Sequence, residues 1–280
     1  MKMEKDGNVE RKYMSEIFFT ADLHLAHFNV ALHCRRMPWI VPNPNFDPSK
    51  PIHFKFNNPE TVNLESMNRD LINNWNSVIG KKDEVWILGD LCWKNHSSYI
   101  MQLNGSKHLI RGNHDKMPEE SLRLFSKIGN AHYQFSYYTQ IRNHRMMLSH
   151  CPYSTWFSSC HGSWNLHGHC HGRFPESIER LQCDVGIDSW GYYPVPFSVI
   201  EAKMTEKEKA RKEYFLSKGK SLREEENEED NDNPTENIFG GDADKSGRIE
   251  TSAGESLNNF FQVRDKNIEI MKKFGVIKNG

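Results

Sequence analysis

Short, mostly apolar runs recur at residues 16–21, 84–88 and 107–110, each followed within two residues by Asp or Gly. They are too short for helices and rich in β-branched and aromatic side chains, so they predict buried strands. Between the first two, Val62, Met67, Leu71, Trp75 and Val78 recur at helical spacing, which predicts a helix over 59–78 ended by Gly80. Shorter helices are predicted at 25–30, 97–103 and 118–128, the last with Pro118 near its first turn. Residues 133–140 and 145–149 predict a hairpin around Asn143-His144, and 181–187 and 197–200 predict further strands. Strand and helix alternate in the first half and strands dominate the second, the pattern of a layered α/β sandwich with mixed sheets.

Two stretches break the pattern. Prolines at 38, 42, 44, 48, 51 and 59 predict a long irregular loop, either a lid over a site or surface padding. After Ala202 the apolar density falls. Residues 205–216 predict a charged helix, and the acidic run from Glu224 to Asp230 holds too few apolar groups to fold alone. Residues 257–274 predict a last amphipathic helix through Leu257, Phe260, Phe261, Ile268 and Met271, docked on the domain or on a partner. The expected organisation is a flexible leader (1–13), a folded domain (14–203), a charged helix with an acidic disordered linker (204–255) and a short C-terminal helix (256–280).

Composition narrows the function. The formal net charge of the 280 residues is −1 and no basic stripe is evident, so nucleic acid is possible as a partner but not favoured. The first eleven residues are charged and lack an apolar signal core, and no run approaches the ~20 apolar residues of a membrane span. A cytoplasmic protein without a membrane partner is expected. The six cysteines form no Cys-Xaa-Xaa-Cys pair, which argues against a zinc finger and for reduced thiols, with Cys92, Cys151 and Cys170 packed under a site.

The fourteen histidines cluster, and they cluster at strand ends. Five stretches share one form: Asp22-Leu23-His24, Gly89-Asp90, Gly112-Asn113-His114-Asp115, Leu148-Ser149-His150 and Gly168-His169-Cys170-His171. In an extended chain Asp22 and His24, two apart, point to one side. Ligand sites in open α/β sheets collect at these carboxyl ends. The candidate ligands are Asp22, His24, Asp90, Asn113, His150, His169 and His171. Oxygen and nitrogen donors in this number exceed one closed zinc site and fit two divalent ions sharing a carboxylate, with Mn, Fe, Zn or Ni as candidates. A second metal-like stretch, from Asp242 to Glu250, matches the start of an EF-hand loop but has Ala253 where a bidentate Glu belongs, so a polar turn is the better reading.

The five blocks, in this order from Phe18 to Gly172, closely resemble the calcineurin-like metallophosphoesterase superfamily, and 184–190 with 22–29 resemble its small bacterial and phage branch. The resemblance implies a four-layer α/β/β/α sandwich. It implies a first metal on Asp22, His24 and His171, a second on Asn113, His150 and His169, and Asp90 bridging them. It also implies hydrolysis of a phosphate ester by metal-bound hydroxide, with His114 protonating the leaving oxygen and Asp115 orienting His114. A small phosphodiester or nucleotide is the favoured substrate; a nuclease, or a non-catalytic metal-binding scaffold that recruits a partner, is the alternative. The tail is a candidate protein-binding segment. His27 and Arg173 lie close enough in sequence to be candidate phosphate contacts.

Overall fold

The run at 17–20 forms a strand whose two faces are both covered, which explains why it reads as continuously apolar rather than alternating. The computed structural model describes residues 15–219 and 253–278, without the side chains of 253–260. The leader, the acidic run and the EF-hand-like stretch at 242–250 lie outside the described residues.

Among the described residues there are ten strands: β1 (Ile17–Thr20), β2 (Ile40–Pro42), β3 (Glu60–Val62), β4 (Glu84–Leu88), β5 (Ser106–Ile110), β6 (Ser136–Ile141), β7 (His144–Ser149), β8 (Trp164–His167), β9 (Gln182–Asp184) and β10 (Val195–Pro196). The helices are α1 (Phe28–His33), α2 (Leu64–Val78), α3 (His96–Ile100), α4 (Glu119–Leu122), α5 (Phe197–Ser217) and α6 (Ala253–Lys273). One sheet has the order β10-β1-β4-β5, with β1, β4 and β5 parallel and β10 antiparallel. The second has the order β6-β7-β8-β9, where the β6/β7 hairpin is antiparallel and the other pairs are parallel. The fold is α/β with mixed sheets.

Alternation along the first sheet divides the core. Phe18, Val85, Ile87 and Leu109 pack with Met67, Leu71 and Trp75 of α2. Phe19, Trp86, Leu88 and Ile110 face Met146, Leu148, Trp164 and Leu166 of the second sheet, together with Phe197, Ile200 and Met204 of α5. Trp75 is fully buried, and its indole N–H donates to the Asn104 carbonyl at 3.0 Å, so no polar atom of that ring is left unpaired.

Several local expectations are corrected. The helix over 59–78 begins only at Leu64, where the Asn63 side chain caps the Ser66 N–H; residues 60–62 pair with β2 instead. The proline-rich loop is thus anchored on a two-stranded ribbon, and its tip is tied by Asn57, whose amide donates to the carbonyls of Asp47, Lys50 and Pro51. The helix over 118–128 stops at Leu122, because the Ser126 N–H turns to the Lys107 carbonyl and Ile128 bridges to Ala131. The strand at 197–200 is the first turn of α5, with Pro196 immediately before it. Helix α6 docks on the domain: Asn267 donates to the Ser189 carbonyl at 2.9 Å and Met271 is fully buried. Among the described residues no helix is long and apolar enough to cross a membrane.

Candidate metal centre

The loops leaving β1 and β4 are zipped together before any side chain contributes. The Asp22 N–H donates to Gly89 O at 3.0 Å, His24 N–H to Asp90 O at 2.9 Å and Leu25 N–H to Leu91 O at 3.0 Å. Asp22, His24, Asp90, His169 and His171, five of the seven candidate ligands, have φ between 49° and 71°. Non-glycine residues rarely occupy this left-handed region and do so mainly where function demands it. It also corrects the extended-chain argument. β1 ends at Thr20, and Asp22 and His24 are gathered by two left-handed turns rather than by the alternation of a strand. Glycine is required at 168, where a Cβ would fall 2.6 Å from Asp22 Oδ2.

Two groups of ligands result. In the first, one donor atom each of Asp22, His24 and His171 lies within 4.8 Å of the others. Asp22 Oδ1 and His24 Nε2, 3.9 Å apart, are buried and have no hydrogen-bond partner. In the second, Asn113 Oδ1 is 2.9 Å from His150 Nε2 and 3.1 Å from His169 Nδ1, and the two ring nitrogens are 3.2 Å apart. Asp90 stands between the groups, with Oδ2 3.5 Å from His24 Nε2 and 3.4 Å from His150 Nε2. All seven predicted ligands are therefore brought together.

The donor chemistry fits cations. His150 Nδ1 faces the Leu88 carbonyl at 2.8 Å and His171 Nδ1 faces Asp188 Oδ2 at 2.7 Å. Both partners only accept, so these nitrogens carry protons, and in the neutral ring each Nε2 has a lone pair to offer the centre. In neutral His150 that lone pair opposes the Asp90 carboxylate, so a positive charge, a proton or a metal cation, belongs in the gap. Burial pushes the Asp22 carboxyl up to about 7 against the lowering charges of His171 and His150. Burial alone would lower His150, but its bond to Asp90 and the charges of Asp22 and Asp90 raise it to about 9. Burial would lower His171 too, and the carboxylates of Asp22 and Asp188 raise it well above the ordinary value.

His114 is beside the ligands rather than among them. Its main-chain N–H donates to Asp90 Oδ1 at 2.9 Å, and its half-buried ring is centred 5.5 Å from His24. The expectation for Asp115 is corrected. Its carboxylate accepts from the main-chain N–H groups of Asp90 (2.7 Å), Leu91 (3.0 Å) and Gly112 (2.8 Å), so it braces the backbone that carries Asp90 and His114 rather than the His114 ring. His27 is close, with Nδ1 3.1 Å from His24 Nδ1 and its ring stacked on Trp93. Arg173 reaches the His33 carbonyl. Cys92 is buried, Cys170 half-buried and Cys151 exposed, so the three do not share the packed position expected of them.

Two participants were missed. Arg36 is fully buried; its guanidinium donates to the Asp22 carbonyl at 2.6 Å, the Leu23 carbonyl at 2.9 Å and both oxygens of Asp188 at 2.9 and 2.8 Å. The Asp188 carboxylate, held low although burial alone would raise it, thereby joins the metal loop to His171. Asp188 lies inside the 184–190 texture that carried the family resemblance; nothing in Cys34-Arg35-Arg36 marks the arginine.

A 206-residue stretch is 30% identical to an uncharacterized protein of Methanocaldococcus jannaschii, covering 70% of this chain and 94% of that one. The gene 66 protein of Mycobacterium phage L5 is 29% identical over 208 residues, covering 64% and 89%. A solved protein of unknown function from Aquifex aeolicus aligns with a TM-score of 0.45 and 20% identity, over 68% of this chain and 99% of that one. The sequence model of the calcineurin-like phosphoesterases matches residues 16–240, and with the metal-type ligand set assembled at the strand ends, the chain belongs to the calcineurin-like phosphoesterase family.

Proposed function

We propose that the chain is a two-metal phosphoesterase that hydrolyses a small phosphodiester or nucleotide. The family implies metal-dependent phosphoester hydrolysis. The observation that carries the two-metal reading is Asp90, whose Oδ2 is about equidistant from His24 Nε2 (3.5 Å) and His150 Nε2 (3.4 Å). Asp22, His24 and His171 would hold one ion, Asn113, His150 and His169 the other, and Asp90 would serve both. Mn, Fe, Zn or Ni in these positions supplies positive charge to the phosphoryl oxygens and a nucleophile at neutral pH.

The chain's own groups then have defined tasks. The ligand carboxylates and imidazoles fix where the phosphate lies. His114, tethered through its N–H to Asp90 Oδ1, gives its ring proton to the departing oxygen. Asp115 keeps that tether in register by holding three main-chain N–H groups. The four-layer α/β/β/α arrangement belongs to the same proposal; it is supported by α2, which packs on one face of the first sheet while the other face meets the second sheet. A cytoplasmic location completes the reading.

The test is hydrolysis of bis-p-nitrophenyl phosphate against p-nitrophenyl phosphate by metal-stripped protein refilled with Mn²⁺, Ni²⁺, Zn²⁺ or Mg²⁺. Metal-dependent turnover with preference for the diester is expected. No turnover with any metal, with two ions bound per chain, would turn the assignment to a binding scaffold. His114→Ala should keep metal content and slow poor leaving groups by about 10²–10⁴-fold, good ones less. Equal slowing of both would remove the acid role.

A further inference from the structure

We propose that Trp93 is a stacking platform for the leaving group, and that the centre acts on phosphate esters whose leaving group carries a planar aromatic ring, a nucleobase or an aryl group. The inference rests on the phosphoesterase reading above and adds the substrate class. Trp93 is 46% exposed although its ring lies beside His27 and His114, next to the buried Asp22, His24 and Asp90. It is not loose. Its main-chain N–H donates to the Leu25 carbonyl at 2.8 Å, and Cys92 bridges to Leu25, so the backbone that carries the indole is held on the same zipped loops that carry His24 and Asp90.

One face of the indole is already occupied. The His27 ring lies on it at 4.4 Å between centroids and 9° between planes. The indole centroid is also 5.7 Å from that of His114. A general acid must come within ~2.6–3.2 Å of the oxygen it protonates. The atoms of the leaving group just beyond that oxygen therefore enter the space beside His114, next to the exposed Trp93 ring. Three other exposed aromatics have partners of their own and no ring contact with His114: Phe56 stacks on His53, and Phe135 and Phe157 meet Tyr133 and Tyr138 edge to face. A rigid flat surface at the leaving-group side selects a flat partner, because offset stacking adds about 0.5–1.5 kcal/mol beyond burial alone, or about 2- to 12-fold in affinity.

The test uses ligands that cannot be hydrolysed. Benzylphosphonate and cyclohexylmethylphosphonate share the phosphonate head and nearly the same size, and differ in planarity. Both, with inorganic phosphate as reference, are titrated calorimetrically into the metal-loaded full chain. The wild type should bind the benzyl compound about 2- to 12-fold tighter. Trp93→Ala should bring the two to parity with phosphate affinity kept, and Trp93→Phe should retain part of the preference. Equal affinities in the wild type, or a preference that survives Trp93→Ala, would overturn this inference alone. Failure of phosphate and both phosphonates to bind would overturn it together with the phosphoesterase reading.

Discussion

The two halves of the candidate metal centre are built on different principles. Behind Asp22, His24 and His171 stands a buried charged scaffold. Arg36 ties the Asp22 and Leu23 carbonyls to Asp188, and Asp188 sets the His171 ring. Behind Asn113, His150 and His169 there is mainly backbone. His150 leans on the Leu88 carbonyl, while Asn113 and His169 are exposed and meet chiefly each other and His150. The first half is preorganised by side chains far apart in sequence, and the second is closed by whatever lies between its donors. Polar groups around a ligating histidine fix its tautomer and its aim, so the first half should hold its ion more tightly.

The comparison breaks most severely at Arg36. Arg36→Met leaves Asp188 and two main-chain carbonyls without their cation, and removing one partner of a buried pair costs about 3–5 kcal/mol. Because His171 also faces Asp188, the lower end is expected, read as a shift of the urea midpoint with an unchanged slope. A shift below about 1 kcal/mol would mean the scaffold is not structural. Next in size, Asp90→Asn strikes both halves. Turnover should fall by about 10²–10³-fold, the range for losing one electrostatic group at a reacting centre, and bound metal should fall below two ions per chain. Unchanged metal content by elemental analysis would show that Asp90 is not shared. The smallest effect sharpens the contrast. Asp188→Asn should weaken the tighter ion by about 10–100-fold and leave the weaker one as it was. A calorimetric titration in which both ions weaken together would erase the distinction between the halves.

The chain's own order explains what was legible. All seven candidate ligands follow a strand within four residues, so a local motif of two to four residues marks each one. The scaffold is not local: Arg36 and Asp188 are 152 positions apart, and neither residue type is unusual where it stands. The gathering of Asp22 and His24 was foreseen for the wrong reason, since left-handed turns rather than strand alternation place them. Asp115 was assigned to the His114 ring because carboxylates commonly partner imidazoles, whereas here three main-chain donors claim it. In the fold, the β6/β7 hairpin and the parallel strands followed from apolar periodicity. The strand expected at 197–200 did not form because a short apolar run after Pro196 suits a buried helix start equally well, and the spacing of Phe197, Ile200 and Met204 settles it as helical.

The central claim is that two cations share Asp90. Anomalous diffraction at the zinc edge from crystals of the zinc-loaded chain tests it directly. Two peaks roughly 3.5–4 Å apart on either side of the Asp90 carboxylate are predicted, one near His24 and His171 and one near Asn113 and His169. A single peak, or two peaks with Asp90 bound to neither, would contradict the account.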